Sequence, residues 1–178
     1  MTERELIEGC LRGDPHCERA LFDRYAGRMM SVCLRYARET EEAEDILQEG
    51  FIKVFSHLKG FRHEGSFEGW IRRIMVTSAL KHLRKARPTQ ELSMVEEFRE
   101  STDLPDVIGH LGEQEIHRLI RDLPDGYRAV FNLYVIEGYK HQEIAELLSI
   151  EESTSRSQLV KARKWLQEKV LAITRVAL

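Results

Sequence analysis

Apolar residues recur along this chain at spacings of three and four, the period of a helix with one buried face. No stretch alternates convincingly as a half-buried strand would. Thr2 and Glu5 form a capping box ahead of Leu6, Ile7, Cys10 and Leu11. Gly13-Asp14-Pro15 then reads as a stop, an N-cap and a proline at the first helical position. The helix it opens is expected to reach about Arg38, with Leu21, Tyr25, Met29, Val32 and Tyr36 on one face. Thr40 is expected to cap a third helix whose first turn holds Glu41, Glu42, Glu44 and Asp45, as the helix dipole favours. Its apolar positions are Ala43, Ile46, Leu47, Phe51, Val54, Phe55 and Leu58. Lys59 to Ser66 has two glycines and no helical period, so it reads as a loop before a fourth helix from about Ser66 to Lys85.

The pattern breaks from Pro88 to about Gly112. Six carboxylates, one arginine and two prolines there read as an extended linker. Helical periodicity resumes near Glu113 with Ile116, Leu119, Ile120 and Leu123. Leu123-Pro124-Asp125-Gly126 starts a helix over Tyr127 to Ile136 that stops at Gly138. Two further helices follow, His141 to Leu148 and about Ser153 to Lys169, joined by Ser149 to Glu152. The expectation is an all-α fold. Two small helical domains, 1–87 and 113–178, are joined by an acidic linker over 88–112, and the second ends in a helix-turn-helix.

Composition narrows the class. Of 178 residues, 42% are hydrophobic and 32% charged, which suits a folded soluble chain rather than a disordered one. The longest uninterrupted apolar run is four residues, against the roughly 20 a spanning helix needs. The amino terminus has neither a basic start nor an apolar stretch, so no secretory signal is read there and a cytoplasmic location is expected. Three cysteines with no C-x-x-C argue against a disulfide scaffold. The net charge of −3 hides an asymmetry: residues 1–87 carry +2, 88–126 carry −7 and 127–178 carry +2. Trp70 to Arg87 holds six cations and no carboxylate, and Ser153 to Leu178 holds six cations and one. Two basic stretches around an acidic connector fit two contacts with a polyanion, although charged helical surfaces are also ordinary.

Motifs for chemistry are missing. The chain has no G-x-G-x-x-G, Walker G-K-[ST], H-E-x-x-H or G-x-S-x-G. Cys10, His16 and Cys17 lie close in sequence, as do His57 and His63, but neither set has the paired spacing of a zinc site. The carboxylates from Glu41 to Glu49 belong to a helix start, where solvated acids are expected. No catalytic residue, metal or cofactor is expected.

The carboxy-terminal run YKHQEIAELLSIEESTSRSQLVKARKWLQ fits a helix-turn-helix. Ile144, Leu147 and Leu148 bury one face of the first helix, small Ala145 allows close approach, and Ile150 fills the gap. The second helix buries Leu159, Ala162 and Leu166, leaving Arg156, Ser157, Val160, Lys161, Arg163 and Lys164 outward. A recognition helix places its first turns against base edges and later cations near phosphates. On this segment alone an ordinary amphipathic hairpin fits the same pattern. In the amino-terminal half, Arg73, Thr77, Lys81 and Arg84 fall along one stripe of the fourth helix with Trp70 at its start, after a loop bearing Phe61, Arg62, His63 and Phe67. Aromatics beside cations suit single-stranded DNA, with rings stacking on unpaired bases. A glycine-bearing loop is suited to wrap one extruded base. Core packing is the competing role for Phe67 and Trp70. The third helix offers Glu44, Asp45, Gln48 and Glu49, a face for a basic protein partner.

The order AEDILQEGFIKVF, SFEGWIRRI, LRK, an acidic linker and LPDGYRAVFNLYVIEGYKHQEIAELL resembles the extracytoplasmic-function (ECF) class of bacterial sigma factors, over about 17–87 and 113–170. The resemblance implies a subunit that joins core RNA polymerase and directs it to promoters. It implies that Asp45, Ile46, Gln48, Glu49 and Phe51 lie at the surface and grip a coiled coil of the polymerase largest subunit. The loop from Phe61 to Phe67, with Arg62, His63, Trp70, Arg73, Thr77, Lys81 and Arg84, would capture the opened −10 element. Thr154, Arg156, Ser157, Val160 and Lys161 would read the −35 duplex, with Arg163 and Lys164 near phosphates. Thr77 and Lys81 stand where the family often has Asn and Asp or Asn. The recognition helix reads STSRSQL, with Ser155 and Gln158 in place of Val and Arg, and resembles sigma factors of the Bacteroidetes group. The linker's carboxylates mimic a nucleic-acid strand, suited to a basic polymerase channel. An antisigma protein is a further expected partner, and a monomer is the expected free state. A ligand-sensing transcriptional regulator would share the helix-turn-helix without needing the ILQEGFIKVF helix and its aromatic loop, and an enzyme of nucleic-acid metabolism would need a reaction centre.

Overall fold

The computed structural model describes residues 1–86 and 113–176, and the acidic linker 88–112 lies outside the described residues. Among the described residues there are eight α-helices and no strand. The chain separates into two compact units, Met1–His82 and Leu83–Leu178.

In the first unit, α1 (Glu3–Leu11) starts with both halves of its capping box: Glu5 N donates to Thr2 Oγ1 at 3.3 Å and Thr2 N to Glu5 Oε2 at 2.7 Å. Gly13 turns the chain at φ +75°, and Asp14 caps α2 (Pro15–Tyr36) by accepting from His16 N at 2.9 Å. The Tyr25 hydroxyl donates to Glu3 at 2.5 Å, tying α2 back to α1. The start of α3 (Thr40–His57) corrects one expectation: Thr40 is the first helical residue, and the N-cap is Glu39, whose side chain makes no cap bond. Glu42 supplies the capping contact instead, accepting from Arg38 N at 2.6 Å. A single 3₁₀ turn, Leu58–Gly60, leads into the loop before α4 (Phe67–Ala86), where Ser66 Oγ accepts from Gly69 N at 3.0 Å. The core closes between Leu21, Tyr25, Met29, Val54, Phe67, Ile71 and Met75, each almost fully buried. Helices α3 and α4 approach so closely that a Cβ on Gly50 would lie 2.2 Å from the Met75 sulfur.

The second unit contains α5 (Glu113–Arg121), α6 (Asp125–Phe131), α7 (His141–Leu148) and α8 (Glu152–Val176). The predicted helix over Tyr127 to Ile136 is present but begins at Asp125, and its last turn, Asn132–Ile136, is a π turn. Gly138 at φ +77° ends it. Ile120, Leu123 and Ala162 form a buried cluster lined by Ile116, Tyr127, Phe131, Ile136, Trp165 and Leu166. A buried ion pair stiffens the start of α6: Arg128 Nη2 lies 2.9 Å from Asp125, and Nη1 donates to the Arg121 carbonyl at 2.7 Å. Between α7 and α8, Ser149 adopts the left-handed conformation and Ile150 N donates to the Ala145 carbonyl at 3.0 Å. That closure makes the tight reversal of a helix-turn-helix.

Candidate nucleic-acid interface

The loop and the first turn of α4 build an aromatic nest. Phe61 packs on His63, Phe67 and Trp70, with ring centroids 4.6, 5.0 and 5.5 Å away. Phe67 is only 1% exposed, and its ring meets Tyr25 edge-on and Trp70 nearly parallel. That corrects the expectation that Phe67 touches DNA: at the first position of α4 it points inward and forms the floor of the nest. His63 at φ +58° and Gly65 at φ +111° let the loop double back. The result is an open depression of about 370 Å³ lined by Gly60, Phe61, Arg62, Glu64, Ser66, Gly69, Trp70 and Arg73. Ser66 and Glu64 in that lining were not singled out from the sequence, because residues of an aperiodic loop carry no register that marks an inner side.

From the depression the exposed side chains of Arg73, Thr77, Lys81 and Arg84 continue along α4. The Thr77 hydroxyl donates back to the carbonyls of Arg73 and Ile74. Behind this face, Lys53 on α3 donates to the buried Ser78 hydroxyl at 2.8 Å.

On α3, Asp45 and Gln48 are exposed and Glu49 is half-buried. Ile46 and Phe51 are 2% and 3% exposed, against the expectation that they grip a partner. They share the inward stripe with Ala43, Gly50 and Val54, and Phe51 packs on Phe22 with centroids 4.7 Å apart. The apolar residue that does face outward is Ile52, 68% exposed, one helical turn past Gln48 and Glu49. Its signal in the sequence is a large aliphatic residue out of register with that stripe.

On α8, Arg156, Arg163 and Lys164 are exposed, and Ser157 and Val160 are half-buried along the same face. Arg156 pairs with Glu152 at 2.5 Å, one turn earlier. Thr154 and Lys161 are 6% and 9% exposed, so neither lies on the outer face where it was expected. Helical geometry explains this, because positions 154, 158, 161 and 162 return to the side packed on the core. Gln158 sits there too, and a Cβ on Gly126 would meet its Oε1 at 2.7 Å. His141 Nδ1 lies 2.8 Å from the Ser155 hydroxyl, and its ring stacks on Tyr134. Burial, then the positive charge of Arg156, holds this imidazole below its ordinary pKa.

Cys10, Cys17 and Cys33 are buried and free. Burial pushes the Cys10 thiol up to about 11 and Cys33 up to about 12. Among the described residues no three His, Cys, Asp or Glu side chains come together as a metal set, and no helix is long and apolar enough to cross a membrane.

Comparison with known proteins adds the family. Residues 21–89 match the family described as Sigma-70 region 2, and residues 113–166 match Sigma-70, region 4. Among curated relatives, the ECF RNA polymerase sigma-E factor of Haemophilus influenzae is 29% identical, the alignment covering 96% of each chain. The RNA polymerase sigma-H factor of Pseudomonas aeruginosa is 27% identical over 98% of this chain and 97% of its own. Among solved structures, the fold is similar to a Bartonella quintana sigma factor crystallised with the anti-sigma factor NepR (TM-score 0.53, 21% identity, 87% of this chain and 96% of that one). It is also similar to CnrH in complex with the cytosolic domain of CnrY (TM-score 0.51, 19% identity, 96% and 97%). With both sigma-70 regions present in order and relatives aligned from end to end, the chain belongs to the sigma-70 family in its extracytoplasmic-function class, whose members are non-enzymatic factors for promoter-specific transcription initiation.

Proposed function

We propose that this sigma factor docks on core RNA polymerase through α3 and makes two DNA contacts, one from each helical unit. Residues 1–87 act as the polymerase-binding and −10 domain, 113–178 as the −35 domain, and the acidic stretch 88–112 as the tether between them. The carrying observation is the depression beside the α4 cations. Phe61 and Trp70 offer ring faces to an unstacked base, while Arg62 and Arg73 at the rim, then Lys81 and Arg84, attract the strand backbone. His63 and Thr77 border the same path. The docking face is Asp45, Gln48 and Glu49 with Ile52 beside them.

For −35 reading, Arg156, Ser157 and Val160 stand in the first turns of α8 to meet base edges, and the exposed Arg163 and Lys164 about two turns after Arg156 hold phosphates. The STSRSQL run supports a recognition helix of the Bacteroidetes type. An antisigma protein that covers both units is the expected regulator. The two similar folds were solved in complex with a partner, one with the anti-sigma factor NepR and the other with the cytosolic domain of CnrY. The factor works as a monomer in the cytoplasm, where polymerase and promoter are.

The test adds the purified chain to core polymerase on a closed linear promoter and follows −10 opening by permanganate reactivity. Charge reversal of Asp45 and Glu49 to lysine is expected to abolish core binding with the helix content unchanged. Trp70→Ala and Arg73→Ala are expected to bind core normally yet open less promoter. A chain that does not associate with core, or initiation that is as selective without it, refutes the proposal.

A further inference from the structure

Two positions at which α8 departs from the usual family run, Ser155 and Gln158, point inward. Ser155 is fully buried and Gln158 is 3% exposed. Neither side chain is placed to meet a base edge, so the departure acts inside the helix-turn-helix. Ser155 meets Nδ1 of His141, the first residue of α7, at 2.8 Å. The face of the same imidazole stacks on Tyr134, with centroids 4.5 Å apart and planes 20° from parallel. Tyr134 belongs to the π turn Asn132–Ile136 that ends the preceding helix. One ring therefore links three elements: the π turn by its face, α7 by its backbone, and the first turn of α8 by its edge. On α8 the link is made at the residue before Arg156, two before Ser157.

We propose that His141 is a positioning residue for promoter reading: held between Tyr134 and Ser155, it sets the depth and rotation at which α8 presents Arg156 and Ser157 to the duplex. Burial lowers the pKa of the ring and so favours its neutral form, which pairs with a hydroxyl in either tautomer. A buried hydroxyl is costly without a partner, so the bond disfavours any rotation of α8 that breaks it. The inference rests on reading α8 as the −35 element.

The experiment uses the full chain reconstituted with core polymerase. The −35 sequence that wild type selects from a randomised library is compared with a scrambled one. His141→Ala and Ser155→Ala are each expected to lower the selected-to-scrambled affinity ratio by about tenfold, the size of a coupling between residues in contact. Binding to the scrambled site should be unchanged. The double variant should be no worse than either single, because both break one link. His141→Asn, which keeps an amide able to reach Ser155, should recover part of the ratio. Ser155→Ala removes one oxygen from a packed site, so it carries the test if His141→Ala loses helix content. Ratios within twofold of wild type, equal losses on all sequences, or additive losses overturn the proposal. Arg156→Ala separates the two levels. If it leaves the ratio intact, α8 is not the −35 reader. If it lowers the ratio while His141→Ala and Ser155→Ala do not, only the positioning role falls.

Discussion

Truncating Ile46 or Ile52 to alanine removes the same three carbons from the same helix, one on each side of it. Ile46 is 2% exposed and Ile52 is 68% exposed. At about 0.8 kcal/mol per buried methylene, the transfer loss at Ile46 is roughly 2.4 kcal/mol. The cavity left under α3 brings the expected cost to about 2–5 kcal/mol. A loss of 1 kcal/mol lowers the melting temperature of a domain this size by roughly 4–8 °C, so Ile46→Ala should melt about 10 °C or more below wild type. Most of the Ile52 side chain is already in water, and its truncation should change stability by no more than about 0.5 kcal/mol. Binding to core polymerase should reverse the order. An exposed apolar side chain beside an acidic docking face is worth about 1–2 kcal/mol when covered, so Ile52→Ala should weaken core affinity roughly tenfold. Ile46→Ala, assayed well below its melting temperature, should bind core within about twofold of wild type. Thermal unfolding by circular dichroism and titration of labelled core give the two readouts. Equal melting temperatures, or an unchanged core affinity for Ile52→Ala, would refute the assignment of these two faces.

Three other outcomes follow from the same structure. Arg128→Ala leaves the Asp125 carboxylate buried beside the vacated site and should destabilise the second unit by about 3–5 kcal/mol, read by denaturant titration of the variant chain. His141 is held below its ordinary pKa by burial and by Arg156, with Glu152 opposing and Arg163 adding to the effect. The unfolded chain therefore takes up a proton that the folded chain resists, and stability should fall as pH drops below about 6.5. In His141→Asn that component of the slope should vanish. The isolated chain should bind promoter DNA weakly, because its −7 acidic stretch opposes the basic faces. With core present, binding should be strong and fall linearly on a log-log salt plot; tight sequence-specific binding by the free chain contradicts this.

Local rules written in a few consecutive residues were legible without a fold. The Thr2–Glu5 box, the Gly13-Asp14-Pro15 junction, the bounds of α7 and the Ser149 reversal depend on neighbours within one or two turns, and each stands as read. The order of the family's motifs was legible for the same reason. What the chain alone did not decide was which side of a helix each residue of a motif occupies. The family resemblance put Ile46, Phe51 and Phe67 in functional motifs, although spacing already set Ile46 and Phe51 in the apolar stripe of α3; packing turns all three to the core, while Ile52 is left outside. Thr154 and Lys161 turn inward with α8, and Ser155 meets His141 fourteen positions earlier in the chain. A helix has one rotation about its axis, and the buried area of all its neighbours sets that rotation at once. Periodicity supplies the stripe; only the packed partners decide where its edges lie.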